Sequence, residues 1–200
     1  MAIILASQSP RRRELLAQMG IGDFIIRPAV GEETAPAGLT PARLVEALSL
    51  HKGLEVAAAS DPADLVIAAD TVVAVDGQVL GKPHDREEAV NMLAALSGRT
   101  HTVYTGVTLC RDGELLTEHE ATTVHFRPLT AAEIEAYVAT GEPMDKAGAY
   151  GIQGVGSLLV ERIEGDYFNV VGLPICRLGR MLAKFGVDCL TLCAQKEQQL

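Results

Sequence analysis

The sequence predicts an α/β protein whose mixed, twisted sheet is flanked by helices. Three patterns indicate this class. The apolar run at residues 3–6, which begins with a β-branched pair, leads through serines into Pro10, as in a buried strand followed by a helix. Residues 65–69 are continuously apolar, which favours a strand buried on both faces. Residues 87–96 have the spacing of an amphipathic helix. Because the two kinds of pattern interleave along the chain, we expect helices to pack on a sheet.

Turn and capping residues predict the remaining elements. Thr40 and Pro41 begin a helix that ends near Gly53, and the spacing of Thr130 and Glu133 is that of a capping box at the start of another. The Asp76-Gly77 pair predicts a hairpin after a strand segment at 72–75. The other predicted elements are strands at 103–109, 121–127 and 157–163 and a closing helix at 173–185.

Composition and charge exclude several classes of protein. The 200 residues, 48% hydrophobic and 22% charged, suit one globular domain, which we expect at 1–190, followed by a polar C-terminal tail at 191–200. We find neither a membrane-spanning stretch nor a signal peptide, so we expect a cytoplasmic protein without a membrane partner. The net charge of −9 argues against binding a DNA or RNA polymer. Four scattered cysteines fit a reducing compartment.

The first helix begins with an unusual set of side chains. Ser9 occupies the N-cap position and Pro10 the first helical position, where no N–H is needed. Arg11, Arg12 and Arg13 follow, although the positive end of a helix dipole favours acidic residues. A bound anion would remove this conflict, because a helix N-terminus attracts phosphate. The sequence therefore predicts phosphate binding here, with a solvated basic turn as the alternative.

A second set of polar residues fits metal-dependent phosphoryl chemistry. Asp70 follows the strand at 65–69, where open α/β sheets place ligand-binding groups, although an aspartate there could also only cap a turn. Glu33 lies in a Gly/Pro-rich loop, Lys82 lies between a glycine and a proline, and residues 142–154 mix charge with glycine. Carboxylates bind Mg²⁺ or Mn²⁺, while lysines and arginines neutralise phosphate. The chain has neither a P-loop nor a GxGxxG motif, which leaves the common ATP and dinucleotide sites without support.

Six segments of the chain form an ordered set that extends to about residue 187. They are Leu5-Ala6-Ser7-x-Ser9-Pro10-Arg11-Arg12, Ala69-Asp70-Thr71, Gly81-Lys82-Pro83, Ser97-Gly98-Arg99-Thr100-His101, Asp145-Lys146-Ala147-Gly148-Ala149-Tyr150-Gly151-Ile152-Gln153-Gly154 and Val170-Val171-Gly172-Leu173-Pro174. This set resembles the Maf family of nucleoside triphosphate pyrophosphatases. The resemblance implies a two-lobed α/β fold around a central cleft, similar to that of inosine triphosphate pyrophosphatases. It also implies cleavage between the α and β phosphates of a nucleoside triphosphate, a divalent cation, Mg²⁺ or Mn²⁺, and a cytoplasmic homodimer.

The resemblance also implies roles for individual residues. Asp70 matches the family's proposed proton acceptor. The family's phosphate and metal positions match Ser9, Arg12, Glu33, Lys52 and Lys82. Many relatives have valine or isoleucine, then Asp, then Glu where this chain has Gly31-Glu32-Glu33. Because the second acid is retained, we keep Glu33 as an expected metal ligand.

Three further positions separate the branches of the family. Arg11, Thr71 and Gln153 are the choices of the branch that cleaves dTTP and UTP. The branch that acts on 7-methyl-GTP has tryptophan, glutamine and glutamate instead. The resemblance thus implies a dTTP/UTP pyrophosphatase.

The expected mechanism follows from these charges. Glu33 and Asp70 would hold or orient the metal, and Asp70 would accept the proton of the attacking water. Since a carboxylate bound directly to a cation is a poor base, the alternative is that one of the two Asp70 roles belongs to a second acid. Arg12, Lys52 and Lys82 would stabilise the departing pyrophosphate. Family members are also linked to septum formation, division arrest and the clearing of modified nucleotides. The alternatives are a non-enzymatic nucleotide-binding regulator of septum formation, a 7-methyl-GTP-type pyrophosphatase and a phosphatase that releases orthophosphate. Analysis of the reaction products separates these classes.

Overall fold

One seven-stranded sheet runs through residues 1–31 and 35–197, the part of the chain that the computed structural model describes. Its strands are β1 (Ile3–Leu5), β2 (Ile25–Ile26), β3 (Leu65–Val75), β4 (Gln78–Leu80), β5 (Thr100–Arg111), β6 (Glu114–Phe126) and β7 (Val160–Glu164). The strand order is β2-β1-β3-β5-β6-β7, and β4 pairs with β3. The β1 strand is parallel to β2 and β3, and the other pairs are antiparallel. The predicted mixed sheet is confirmed.

Helices flank this sheet, as predicted. They are α1 (Pro10–Gln18), α2 (Pro41–Ala58), α3 (Arg86–Leu96), α4 (Ala131–Ala139), α5 (Tyr167–Val171), α6 (Ile175–Lys184) and α7 (Cys189–Glu197), with short 3-10 turns at Glu142–Asp145, Ala147–Ala149 and Val155–Leu159. The capping box of Thr130 and Glu133 is formed at the start of α4. No helix within the described residues is both long and apolar enough to cross a membrane.

The sheet has an opening beside the middle of β3. On one edge of this strand, β1 pairs as far as Ile67, and β4 takes over only at Val73. The opposite edge pairs with β5 without interruption from Val66 to Ala74. Residues 68–72 of β3 therefore have no strand beside them on the first edge, among the described residues. A ligand can reach the centre of the sheet at this opening.

Two hydrophobic clusters lie at the two ends of β3 and β5. One joins β1 and the first half of β3 to α1 and α6, and includes Leu5, Leu16, Ile67 and Leu182. The other joins the second half of β3 to α3 and α4. The expected two-lobed arrangement is thereby confirmed, with the long strands β3 and β5 shared by both lobes.

Helix α2 packs very closely on the face of the sheet opposite to the one that α1 and α6 cover. A Cβ atom added at Gly106 would lie 2.2 Å from the carbonyl oxygen of Val45, so only glycine allows this approach. Ser49 and Gly53 continue the contact from the helix side, and the hydroxyl of Ser49 is 3.0 Å from that of Thr108. Small residues on both partners thus set the distance between α2 and the middle of the sheet.

Several sequence predictions need correction. The helix that begins at Thr40 and Pro41 does not end near Gly53 but continues to Ala58. The strand does not end before Asp70 but continues to Val75, because β5 keeps pairing with it. The strand predicted at 157–163 begins only at Val160, after a 3-10 turn. Much of the predicted polar tail at 191–200 is helical, since α7 extends to Glu197. A Cβ atom at Gly20 would lie 2.6 Å from Sγ of Cys193, which shows how closely α7 packs beside the end of α1.

Candidate active site

A cavity of about 1020 Å³ lies at the opening in the sheet. The β1–α1 junction, α2, the middle of β3 and residues around 81–84, 142–154 and 170–172 line it. Eight side chains predicted from the sequence are among its lining residues: Ser9, Arg11, Arg12, Lys52, Asp70, Thr71, Lys82 and Gln153. Glu33 lies outside the described residues. The fold thus gathers the predicted residues from most of the chain's length around one cleft.

Asp70 and Lys52 form an ion pair at the sheet side of the cavity. Nζ of Lys52 lies 2.5 Å from Oδ1 of Asp70, and the side chains are 13% and 11% exposed. Asp70 pairs with Gly106 across the β3–β5 ladder. Since Gly106 admits α2 so closely, the helix brings Lys52 within reach of the carboxylate. Oδ1 is engaged in this pair, while Oδ2 has no hydrogen-bond partner within residues 1–31 and 35–197.

Three hydrogen bonds to residues that the structure describes fix Arg12 on the other face of β3. Its guanidinium donates to the carbonyl of Gly172 at 2.8 Å, to Oγ1 of Thr71 at 3.0 Å and to Oγ of Ser7 at 3.3 Å. Thr71 in turn lies 2.9 Å from the hydroxyl of Thr105. Arg12 and Lys52 therefore approach the cavity from opposite faces of the same strand.

The start of α1 differs from the expected capping pattern. Ser9 occupies the N-cap position and Pro10 the first helical position, but the Ser9 side chain makes no capping hydrogen bond. Arg11 and Arg12 are half-buried and line the cavity, whereas Arg13 is exposed and is not among the lining residues. Two arginines of the run thus belong to the cleft, and the third fits the solvated basic turn.

A row of ion-paired side chains lies along one side of the cleft. Arg11 lies 3.0 Å from Oδ2 of Asp145, whose Oδ1 is 2.7 Å from Nζ of Lys146. Burial alone would raise the pKa of Asp145, but these two cations hold it below its ordinary value. Asp145 and Lys146 are lining residues whose roles the sequence reasoning did not assign. The sequence feature that could have identified both residues is their place in the glycine-rich segment after α4.

The described lining of the cavity carries a net positive charge, although the protein as a whole is acidic. The described part of the lining has five lysine or arginine side chains and three acidic ones, Asp70, Glu142 and Asp145. The whole chain, in contrast, has a net charge of −9. Concentrating cations in one concave site favours a polyanionic ligand such as a phosphate chain.

Carboxylate oxygens available for a metal are few. Within residues 1–31 and 35–197, no three His, Cys, Asp or Glu side chains form a metal-binding group. Asp70, buried and directed to the sheet side of the cavity, is the predicted ligand that the structure describes. Mg²⁺ commonly uses one or two carboxylates together with substrate phosphates. Asp70 is thus one hard oxygen donor among the described residues, to which the predicted ligand Glu33 does not belong.

Fold and site together define a two-lobed α/β protein with an anion-accepting cleft. The chain belongs to the Maf-like protein family, whose model matches residues 2–185. A protein of Moorella thermoacetica named dTTP/UTP pyrophosphatase is 58% identical over 189 residues, which cover 93% of this chain and 96% of that protein. A protein of the same name from Bacillus anthracis is 50% identical over 186 residues, 93% of this chain and 96% of its own length.

Solved structures show a more distant likeness. The Ham1 protein of Staphylococcus aureus is 16% identical, with a TM-score of 0.45 over 63% of this chain and 72% of that one. A nucleoside-triphosphatase (dITP/XTP pyrophosphatase) of Mycobacterium abscessus has a TM-score of 0.41 at 18% identity, over 63% and 73% of the chains. Membership of the family comes from the sequence relatives and not from these structures.

Proposed function

We propose that the protein is a nucleoside triphosphate pyrophosphatase that cleaves dTTP and UTP between the α and β phosphates. The products would be the nucleoside monophosphate and pyrophosphate. The observation that carries the proposal is the buried Lys52–Asp70 pair in a cationic cleft. It occurs in a chain 58% identical, over nearly its whole length, to a protein named dTTP/UTP pyrophosphatase.

The cations of the cleft would bind the phosphate chain. Arg12, Lys52 and Lys82 line the cavity, and Arg12 is already fixed by its hydrogen bonds to Gly172 and Thr71. Negative charge develops on the departing pyrophosphate in the transition state. Cations that are already in place stabilise that charge without reorganising, which is how electrostatic catalysis lowers a barrier. Ser9, at the start of α1, would add its hydroxyl as a donor to the same group, since its side chain makes no capping hydrogen bond.

Asp70 would accept the proton of the water that attacks the α phosphorus. Its carboxylate is buried, and Lys52 holds it by Oδ1, so Oδ2 is the atom in position to accept a proton. General-base catalysis requires such a fixed group within hydrogen-bond reach of the water. Lys52 therefore has two proposed tasks, to orient Asp70 and to neutralise phosphate.

A divalent cation, Mg²⁺ or Mn²⁺, would complete the site. The family resemblance supplies Glu33 and Asp70 as hard oxygen ligands. Because a carboxylate bound directly to a cation is a poor base, Asp70 would serve as a ligand only if a second acid accepts the proton of the water. A bound cation polarises the phosphate and lowers the pKa of a bound water. The resemblance alone supports two further proposals, a cytoplasmic homodimer and a house-cleaning role against modified nucleotides.

Base choice would depend on the three positions that separate the branches. Gln153 is exposed along the cavity lining, and its amide can pair with the imide edge of thymine or uracil through one donor and one acceptor. Arg11 and Thr71 are bonded to Asp145 and Arg12, so both would act by arranging their neighbours.

Product analysis tests the proposed function. Purified protein is incubated with dTTP, UTP, CTP, dGTP and 7-methyl-GTP, with Mg²⁺ or Mn²⁺ and with excess EDTA. Pyrophosphate and monophosphate from dTTP and UTP, lost in EDTA, are the expected result. Orthophosphate as the product would indicate a phosphatase, and nucleotide binding without turnover would indicate a regulator. Full activity in EDTA would remove the metal from the mechanism.

A further inference from the structure

We propose that Glu142 and Tyr137 are positioning residues for base recognition. They hold the segment 151–156 so that Gln153 presents its amide to the base. This inference rests on the proposed function and deepens it, because it names the groups that fix the specificity of that site. Neither residue was assigned a role from the sequence.

Glu142 and Tyr137 anchor the backbone on both sides of Gln153. Oε1 of Glu142 accepts hydrogen bonds from the hydroxyl of Tyr137 at 2.8 Å and from the N–H of Gly156 at 3.1 Å. Its Oε2 accepts from the N–H of Val155 at 2.9 Å. The Tyr137 hydroxyl accepts from the N–H of Gly151 at 3.1 Å. The two side chains thus fix the segment two residues before Gln153 and two and three residues after it.

The glycines of this segment allow the backbone to wrap around the Glu142 side chain. A Cβ atom at Gly154 would lie 2.3 Å from Oε2 of Glu142, and one at Gly156 would lie 2.6 Å from the Tyr137 hydroxyl. Three glycines within six residues would otherwise give a segment with many accessible conformations. The hydrogen bonds select one of them. Gln153 is thereby held in place by contacts that its own side chain does not make.

Glu142 stays ionised and Tyr137 stays neutral at neutral pH, so the hydrogen bonds between them and the segment 151–156 persist there. Burial by itself would raise the pKa of Glu142, but the N–H groups of Gly156 and Val155 and the Tyr137 hydroxyl hold it below its ordinary value. Tyr137 is 4% exposed, and burial raises its pKa well above the ordinary value, so it stays a neutral donor. Tyr137 also lies on α4, whose first turn is closed by the capping box. The segment is therefore tied to a regular helix of the second lobe.

Gln153 is itself placed to use this support. Its side chain is exposed at the cavity and makes no hydrogen bond to any residue that the structure describes. Both its amide donor and its amide acceptor are thus open to a ligand. A hydrogen bond to a base discriminates only if its geometry is fixed beforehand, because a mobile group also adapts to the wrong base.

Kinetics of Glu142→Gln and Tyr137→Phe test the inference. Glu142→Gln replaces the carboxylate by an amide of equal size. The amide has one acceptor oxygen for the three groups that donate to Glu142, namely the Tyr137 hydroxyl and the N–H groups of Val155 and Gly156. Tyr137→Phe deletes only the hydroxyl. We expect the ratio of kcat/KM for dTTP to that for dGTP to fall by about 10-fold in each, mainly through a higher KM for dTTP. The value of kcat for dTTP should stay within about 3-fold. Glu161→Gln, an exposed carboxylate on β7, is the matched control and should leave the ratio unchanged.

A second background separates positioning from a purely structural role. In Gln153→Ala, adding Glu142→Gln or Tyr137→Phe should lower the dTTP to dGTP ratio no further, because the group that they position is gone. An equal further fall in this background would overturn the inference, as would an unchanged ratio in both single variants. If Glu142→Gln shows no cooperative melting transition, Tyr137→Phe decides the matter alone.

The proposed function and this inference fail in different ways. A wild type that releases no pyrophosphate from any triphosphate overturns the proposed function, and the inference with it. A wild type that prefers dTTP and UTP, with variants that keep that preference, overturns only the positioning role.

Discussion

Lys52 and Asp70 are joined at 2.5 Å in a place where neither side chain is more than 13% exposed. Removing Lys52 would leave the Asp70 carboxylate as a poorly solvated charge, which costs more than the pair itself contributes. The contact therefore holds the Asp70 carboxylate in one orientation beside the opening in the sheet. The same contact joins α2 to the middle of β3, so a substitution at Lys52 or Asp70 would also alter the position of the other side chain.

Asp70→Asn is expected to abolish most turnover while nucleotide binding persists. The amide keeps the size of the side chain but is a very weak proton acceptor, and a general base contributes roughly 10²–10⁴-fold to a rate. Measurement of kcat for dTTP and of the nucleotide Kd by calorimetry checks this. Asp23→Asn, at an exposed aspartate that is not among the lining residues of the cavity, serves as the control. Turnover at the wild-type rate would exclude Asp70 as the base, and joint loss of binding and rate would indicate a metal ligand.

Thr71→Val tests whether the Thr71 hydroxyl holds Arg12 for phosphate binding. The hydroxyl accepts a hydrogen bond from Arg12 and contacts Thr105, and valine has nearly the same shape without these bonds. A lost hydrogen bond to a charged group is worth roughly 1.5–3 kcal/mol, so we expect kcat/KM for dTTP to fall about 10-fold or more. Thr71→Ser retains the hydroxyl and should stay close to the wild type. Equal activity of the valine and serine variants would show that Arg12 does not need this contact.

Gln153→Glu is expected to reduce activity on dTTP and UTP. A carboxylate cannot donate to a carbonyl oxygen of the base, and an unpaired group costs roughly 1–3 kcal/mol. The triple change Arg11→Trp, Thr71→Gln, Gln153→Glu should in addition raise activity on 7-methyl-GTP, because an aromatic face and a carboxylate favour a cationic base. Values of kcat/KM for the five nucleotides on each protein check both statements. A triple variant that keeps the dTTP preference would refute the assignment to the pyrimidine branch.

Local signals in the sequence were sufficient for the hairpin turns and for the caps at Thr40 and Thr130, but not at Ser9, whose side chain makes no capping hydrogen bond. Asp76 and Gly77 adopt positive φ values of 50° and 77° in the predicted hairpin, as the Asp-Gly pair requires. Asp112 and Gly113 do the same between β5 and β6. Residues 142–154, whose mixture of charge and glycine fits phosphoryl chemistry, contribute to the lining of the cavity. These features depend on residues close together in the chain.

Pairing between distant segments was the part that local patterns could not supply. The polar pair Asp70-Thr71 looked like the end of a strand, but β5 continues the ladder through it and leaves only the other edge open. The contacts of Glu142 and Tyr137 with the 151–156 segment depend on a close approach that no spacing in the sequence reveals. The family resemblance located the site residues, and only the fold showed which of them touch.

His101 should make the free energy of unfolding depend on pH. It is 2% exposed, its Nε2 lies 2.8 Å from the Tyr150 hydroxyl, and its Nδ1 is buried without a hydrogen-bond partner among the described residues. Burial, with a smaller contribution from the charge of His125, lowers the pKa of His101 from 6.5 to about 4. At pH values between these two pKa values, His101 is protonated in the unfolded chain and neutral in the folded protein. Stability is therefore fully present above pH 6.5 and is lost as the pH falls towards 4.

The change from pH 7 to pH 5 should cost roughly 2 kcal/mol through this one group. Urea unfolding of the wild type and of His101→Gln at both pH values measures it, since glutamine keeps a polar partner for Tyr150 but does not titrate. His101→Gln is expected to be less stable at pH 7 and to lose less stability on acidification. His84→Gln, an exposed histidine, is the control and should lose as much as the wild type. An equal loss in the wild type and in His101→Gln would show that His101 takes up its proton in the folded protein.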